Sequence, residues 1–327
     1  MLHRFAKFVA GCTVLLVLAG SLVTSTDSGL SVPDWPTTYG WNMFTFPPSK
    51  WVGGIFYEHG HRLIASSVGF LTIVLAIWLW MTDDRRWMRW LGVAALGAVI
   101  AQGVLGGLTV MFFLPAPIST AHAGLAEIFF CMTVAIALFT SPQWIDAYGG
   151  RVATSWGNVA TLRKVATTTT VLVYCQILIG ATMRHTGAGL AIPDFPLMFG
   201  HLWPTHWDAK IAVHFAHRAG ALLVLISIVA TAVQVFGRTT LAELRRPAML
   251  LLVLVAVQIT LGASTVLSRR DVWINSLHVV CGALVLTTSL VLTLRTWRAR
   301  FSTGPVRLKP DATENGGVRL QADRRLA

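Results

Sequence analysis

TDSGLSVPDWPTTYG, residues 26–40, returns without a gap as TGAGLAIPDFPLMFG at residues 186–200, an offset of 160. Further along the offset settles at 156, so the first half carries four additional residues in the same connection. At that second offset Gln102 pairs with Gln258, Gly106 with Gly262, Thr109 with Thr265 and Val110 with Val266. So many identities in one register mark a tandem duplication. If each copy holds an even number of membrane spans, both copies insert in the same orientation.

Composition places the copies in a membrane. The 327 residues are 54% hydrophobic and only 12% charged, against about 25% charged in soluble domains. A bilayer core of about 30 Å needs roughly 20 helical residues. Runs of that kind lie near 6–25, 60–82, 88–113, 118–140, 164–184, 211–236, 247–268 and 273–294. The expected fold is therefore an all-α integral membrane protein with eight transmembrane helices, arranged as two tandem, pseudo-symmetric four-helix bundles. The expected divisions are 1–140 for the N-terminal half, 141–162 for a polar cytoplasmic linker and 163–296 for the C-terminal half. Residues 297–327 form a basic tail without helical period, expected to be disordered.

The net charge of +12 is gathered in alternate connections and does not form a nucleic-acid surface. Arg4 and Lys7, then Arg85, Arg86 and Arg89, then Arg151, Arg163 and Lys164, then Arg238, Arg245 and Arg246, mark cytoplasmic segments by the positive-inside rule. Both termini are then inside, and 26–57, 114–117, 185–210 and 268–272 face out. Arg269 and Arg270 cut against that pattern. A cleaved signal peptide would also begin with a basic flank and an apolar stretch. The length of the first run, and its repeat partner at 166–184, argue for a retained span. A bacterial inner membrane is the expected location.

Four histidines repeat with the halves: His217 and His278 follow His61 and His122 by the same 156 residues. Imidazoles in apolar helices are costly and are presumed functional. Two at matched depth on separate helices of one bundle can approach a common iron from opposite faces. Each half thus offers one bis-histidine haem site near the outer surface, with axial ligation setting its redox properties. Zinc fits poorly, because a tetrahedral site wants three or four ligands. Cys12, Cys131, Cys175 and Cys281 all fall in spans, as small core residues more than as ligands.

Other residues are candidates by position. Arg62 and Arg218 each follow a histidine and would suit a haem propionate, with interface anchoring as the alternative. Pro33-Asp34-Trp35-Pro36 and Pro193-Asp194-Phe195-Pro196 suggest a fixed loop over each bundle mouth. His59, His185, His201 and His206 have no register partners and read as loop or surface residues. The copies differ informatively at Glu58, whose twin is His214. Glu58 shares a helix face with His61 and could act as a proton carrier or nucleophile, or simply form a hydrogen bond at a helix start. Glu127, with Ala283 as its twin, is an acid deep in a span, for a proton path or for a bond to a neighbouring helix.

These motifs, the TxSGLSxPDWP-like loop, ExxHR at 58–62, HxxHR at 214–218 and the paired histidines, resemble the haem A synthase family, whose members convert haem O to haem A. The likeness covers the chain up to about residue 295. It implies a haem b cofactor on His217 and His278, the haem O substrate and haem A product on His61 and His122, and Glu58 at the family's essential acidic position. The implied reaction oxidises the C8 methyl of the porphyrin to a formyl group. The implied partners are the farnesyltransferase that supplies haem O, the terminal-oxidase assembly machinery, membrane lipid and an unidentified electron donor. Some bacterial members carry a cysteine pair in the first outward loop, and residues 26–57 have none. The alternative is a di-haem b-type electron-transfer protein, which has no use for an acid at one site only. A haem transporter or assembly factor is a third reading.

Overall fold

Hydrocarbon offers the backbone no hydrogen-bonding partner, so a spanning segment must satisfy its own amides as a helix. In the computed structural model, which describes residues 1–146, 159–239, 242–298, 308–312 and 318–322, eight helices are long and apolar enough to do so. They are α1 (Leu2–Ser25), α2 (Gly54–Thr82), α3 (Arg86–Met111), α4 (Ala116–Phe139), α6 (Val159–His185), α7 (Ala209–Arg238), α8 (Ala242–Leu267) and α9 (Val272–Arg298). A short α5 (Pro142–Asp146) follows α4. The linker expected at 141–162 falls outside the described residues over 147–158.

The helices pack in two rings of four. In one, α1 touches α2 and α4, and α3 touches α2 and α4; in the other, α6 touches α7 and α9, and α8 touches α7 and α9. Each ring has its own core: Val9, Val68, Leu75, Leu79, Phe129 and Ile136 in the first, and Val173, Ile228, Leu251, Val255, Leu286 and Leu292 in the second. The rings meet where α1 and α4 lie on α9 and where α4 lies on α6. Large apolar side chains such as Phe70, Ile77, Leu222, Ile226 and Val233 remain exposed on the outer faces, as a lipid-facing wall requires. Exposed tryptophans collect near both ends, Trp41, Trp203, Trp207 and Trp273 at one and Trp80, Trp87, Trp90 and Trp297 at the other, the usual girdles of a spanning bundle.

Because lipid tails are as apolar as leucine, side-chain hydrogen bonds add to van der Waals packing in joining such helices. The Thr170 hydroxyl on α6 lies 2.8 Å from both Ser289 and Thr293 hydroxyls on α9, and Thr169 lies 2.9 Å from Thr231 on α7.

Two differences from the sequence reading bear on the site. The helices α2 and α4 begin at Gly54 and Ala116, ahead of the apolar runs, because Tyr57, Glu58 and His59 are helical although hydropathy does not mark them. The histidines consequently sit about two turns in from the helix starts. In the tail, Leu308–Ala312 pairs antiparallel with Val318–Ala322, a short ribbon where no regular structure was expected.

Thr170→Val should remove both contacts to α9 and lower unfolding stability by about 1 kcal/mol, given about 0.6 kcal/mol for an average interhelical bond in a membrane. Denaturant titration in detergent micelles measures it.

Candidate functional site

Each long loop folds around its aspartate. Asp34 accepts from the Tyr39 and Gly40 amides at 2.7 and 2.8 Å and from the Thr37 hydroxyl; Asp194 accepts from the Phe199 and Gly200 amides, both at 2.8 Å. The turns close at Gly40 and Gly200 with φ of 75° and 78°, a region that glycine enters without strain. The peptide bonds before Pro36 and Pro196 are both cis. The Gly200 amide, with that of Phe199, holds the Asp194 carboxyl below its ordinary pKa. At Asp34 partial burial pushes the other way, but the bonds from Gly40, Thr37 and Tyr39 together win, and its pKa is also low.

The arginines fasten these loops to the histidine-bearing helices. Arg62 donates from Nη1 to the Asp34 and Thr37 carbonyls at 2.7 and 3.0 Å, and from Nη2 to the Val32 carbonyl at 2.9 Å. Arg218 repeats the pattern on Leu197, Ile192 and Asp194 at 2.9, 3.1 and 2.6 Å. In this structure both guanidiniums, expected at a propionate or as interface anchors, hold loop carbonyls, which match their fork.

Glu58 and His214, taken from the sequence as the point of divergence, share one task. Glu58 is buried; its Oε2 accepts from the Val32 amide at 2.8 Å and its Oε1 pairs with Arg62 at 2.7 Å. His214 Nδ1 lies 3.3 Å from the Ile192 amide, the twin of Val32, and 3.1 Å from the Ala188 carbonyl. A single nitrogen serves one of those partners at a time, according to tautomer. Only the first copy therefore places a carboxylate at this point.

The four histidines each face a glycine. A Cβ at Gly20 would stand 3.0 Å from the His61 ring and one at Gly106 3.3 Å from His122; at Gly180 and Gly262 the distances to His217 and His278 are 2.9 and 3.0 Å. Absence of a side chain gives each imidazole its place. In the second ring the His217 and His278 ring centres are 6.5 Å apart. With a metal–imidazole nitrogen bond of about 2.0–2.1 Å, as at zinc, two rings flanking one ion need a separation of this order. Gln176 donates to the His217 carbonyl at 2.7 Å and lies 3.0 Å from its Nδ1, and the Gln258 carbonyl lies 3.2 Å from His278 Nδ1. In the first ring His61 and His122 lie within electrostatic reach of each other. His61 Nδ1 is buried without a partner, and His122 Nδ1 nears the Gln102 carbonyl without making a full hydrogen bond. Among the described residues no group of three His, Cys, Asp or Glu side chains gathers to hold a bare ion. Two imidazoles per site suit a planar macrocycle that brings its own equatorial ligands.

The remaining candidates disperse. Glu127 is buried with Oε2 unpartnered, near Cys131 and Tyr174 where α4 meets α6. His201 and His206 are exposed, as expected. His59 is not: it is fully buried, bonded to Thr38 at 3.1 Å and packed against Phe46 and Trp51, so it anchors the longer first loop. Phe215 stands at its place in the second copy. Gln176 escaped the sequence reading because its twin is Leu16; a polar residue at mid-span against an apolar twin was the available signal. The four cysteines are free.

An eight-helix, multi-pass membrane protein with a histidine pair in each ring of four helices is the class that these features define. Residues 3–290 match the COX15-CtaA family, described as cytochrome oxidase assembly protein, and the chain belongs to that family. It is 28% identical over 296 residues to a protein of Halalkalibacterium halodurans named Heme A synthase, covering 88% of this chain and 95% of that one. A Geobacillus kaustophilus Heme A synthase is 28% identical over 313 residues, covering 91% and 94%, and one from Shouchella clausii is 30% identical over 228 residues, covering 68% and 72%.

Gly180→Ala, whose methyl would stand 2.9 Å from the His217 ring, should displace that ring and lower the melting temperature measured in detergent, whereas Gly97→Ala, where a methyl meets nothing within 4 Å, should leave it unchanged. The low Asp194 pKa also has a sign. The stability it contributes is complete above the unfolded-state value of about 3.9 and is lost as pH falls through the lower folded value. Thermal melting of Asp194→Asn should match that of the wild type more closely at pH 3 than at pH 7.

Proposed function

We propose that this protein is a haem A synthase, converting haem O to haem A. The observation that carries the reading is two facing histidine pairs, each seated against glycines, only one of which has a carboxylate one turn away. The C-terminal pair, His217 and His278, holds a resident haem b, with Gln176 and Gln258 fixing the imidazoles. The N-terminal pair, His61 and His122, receives haem O. The resident haem b supplies one-electron transfer.

Glu58 stands one turn from His61 toward the loop, the position from which a carboxyl can hold or take a proton beside the substrate. Arg62 and Val32 orient it. The loop clamped by Arg62 shields the reacting edge from water. Successive hydroxylations of the C8 methyl, with oxygen from water, remove four electrons and four protons; the electrons pass to the external redox partner, and the hydrated aldehyde loses water to give the formyl group. An apolar cleft of about 390 Å³ between α4, α6 and α9, lined by Ile128, Met132, Val171, Tyr174, Leu286 and Leu290, offers room for the isoprenoid tail. In this reading the termini are cytoplasmic and both haems lie toward the periplasmic face of a bacterial inner membrane. A farnesyltransferase delivers the substrate, oxidase assembly consumes the product, and a separate donor exchanges electrons.

The shared loop contact of Glu58 and His214 favours one rival, a di-haem b-type electron carrier in which Glu58 only anchors a loop. Co-expression with a haem O source, followed by chromatography of extracted haems, separates the two: haem A or a hydroxylated intermediate is expected, and neither would appear for a carrier. Glu58→Gln keeps an acceptor for the Val32 amide but removes the charge. It should retain the C-terminal haem spectrum while haem A falls by about a hundredfold, the lower range for loss of a general acid or base. Undiminished haem A would reduce Glu58 to a loop anchor.

A further inference from the structure

Arg184 lies in α6 one turn beyond Gly180, the residue that receives His217, and two turns beyond Gln176, which bonds to His217. Positions four apart share a helix face, so Gln176, Gly180 and Arg184 form one stripe along the second site. Their twins in α1 are Leu16, Gly20 and Thr24. The same stripe is thus polar and cationic at one site and uncharged at the other.

Arg184 is also poorly satisfied. Its Nη2 donates to the Ser21 carbonyl at 3.0 Å and the Ser25 hydroxyl at 2.8 Å, joining α6 to α1, while its Nε is shut off from solvent without a partner. Ser25 in turn meets Asn275 and Ser276 of α9 at 3.2 and 2.9 Å. Among the described residues no carboxylate is within ion-pair distance of Arg184. Asp27, which reaches it electrostatically, is engaged by Arg270 at 3.7 Å. His278 lies within the same electrostatic range.

Arg270 belongs to the pair that broke the charge pattern of the loops. Arg269 and Arg270 occupy left-handed positions after α8, with φ of 56° and 72°; their twins Phe113 and Leu114 do the same after α3, at 58° and 60°. Leu114 packs on Gly29, and Arg270 reaches the twin glycine, Gly189. Where the first turn has Leu114, the second, alike in backbone, has Arg270. Arg184 and Arg270 against Asp27 leave this seam positive on the side of His278, and a half-buried cation whose Nε is closed off without a partner calls for an anion.

We propose that Arg184, with Arg270 beside it, binds the propionate carboxylates of the haem held by His217 and His278. Guanidinium and carboxylate match in shape and charge. The first site has Thr24 and Leu114 at these places, so its haem lacks this anchor and can leave as product. This rests on the functional reading above, which puts a resident haem at the C-terminal pair.

The test compares haem b with its dimethyl ester, in which both carboxylates are blocked, bound to the full-length protein freed of haem. Arg184→Met should weaken haem b binding about tenfold or more, the lower range for a bond to a charged group, and Arg184→Lys less. The ester should bind wild type and Arg184→Met alike. Equal binding of haem b by wild type and Arg184→Met would overturn the proposal. An equal loss for haem b and ester would do the same, showing that Arg184 acts through folding or on a lipid phosphate. If Arg184→Met does not accumulate, wild type decides: ester bound as tightly as haem b overturns the proposal. Wild type that binds no haem at His217 and His278 would instead overturn the functional reading itself.

Discussion

The clamp between Arg62 or Arg218 and the carbonyls of its loop is the contact on which the site depends. Each arginine adjoins a histidine in sequence and points along the helix to the loop, so loop and ligand are set by one helix. The loop brings its own rigidity through Asp34 or Asp194, whose carboxylate collects successive amides of the turn. A helix end that carries a ligand is thereby held against a lid of fixed shape. The glycines on α1, α3, α6 and α8 complete the arrangement by leaving space for the imidazole rings.

The two copies use this frame for different ends. Around His217 and His278 the neighbours are Gln176, Gln258 and the cations Arg184 and Arg270, a set that holds imidazoles and attracts carboxylates. Around His61 and His122 the twins are Leu16, Gln102, Thr24 and Leu114, and the added charge is the acid Glu58. In the proposed reading, a resident haem at the second pair and a substrate haem at the first call for that difference. Trp35 packs against Gly107, where a Cβ would stand 2.5 Å from the ring; their sequence twins are the smaller Phe195 and the larger Ala263, an exchange of bulk between the copies.

Much of this was legible in the sequence, because period, length and apolarity are what a bilayer selects. The eight helices and the histidine register follow from such patterns. The helix starts of α2 and α4 were missed, since hydropathy does not see a polar helical turn beyond the apolar run. The hold of Arg62 and Arg218 on the loop carbonyls was not legible, because a guanidinium suits a loop carbonyl as well as a propionate, and only coordinates show the loop to be near. The difference between Glu58 and His214 was visible in the sequence; their shared contact with the Val32 and Ile192 amides is a backbone feature without a sequence signature. Gln176 and Arg184 were visible as departures from Leu16 and Thr24, but their meaning needed the glycine between them.

The central claim is that one frame holds two haems with separate fates. Haem composition of purified His278→Ala and His122→Ala, each co-expressed with a haem O source, tests it most directly. The account predicts that His278→Ala loses the resident haem b, whereas His122→Ala keeps it with an unaltered spectrum and makes no haem A. Loss of the same haem from both variants, or haem A formed by His122→Ala at the wild-type level, would contradict it.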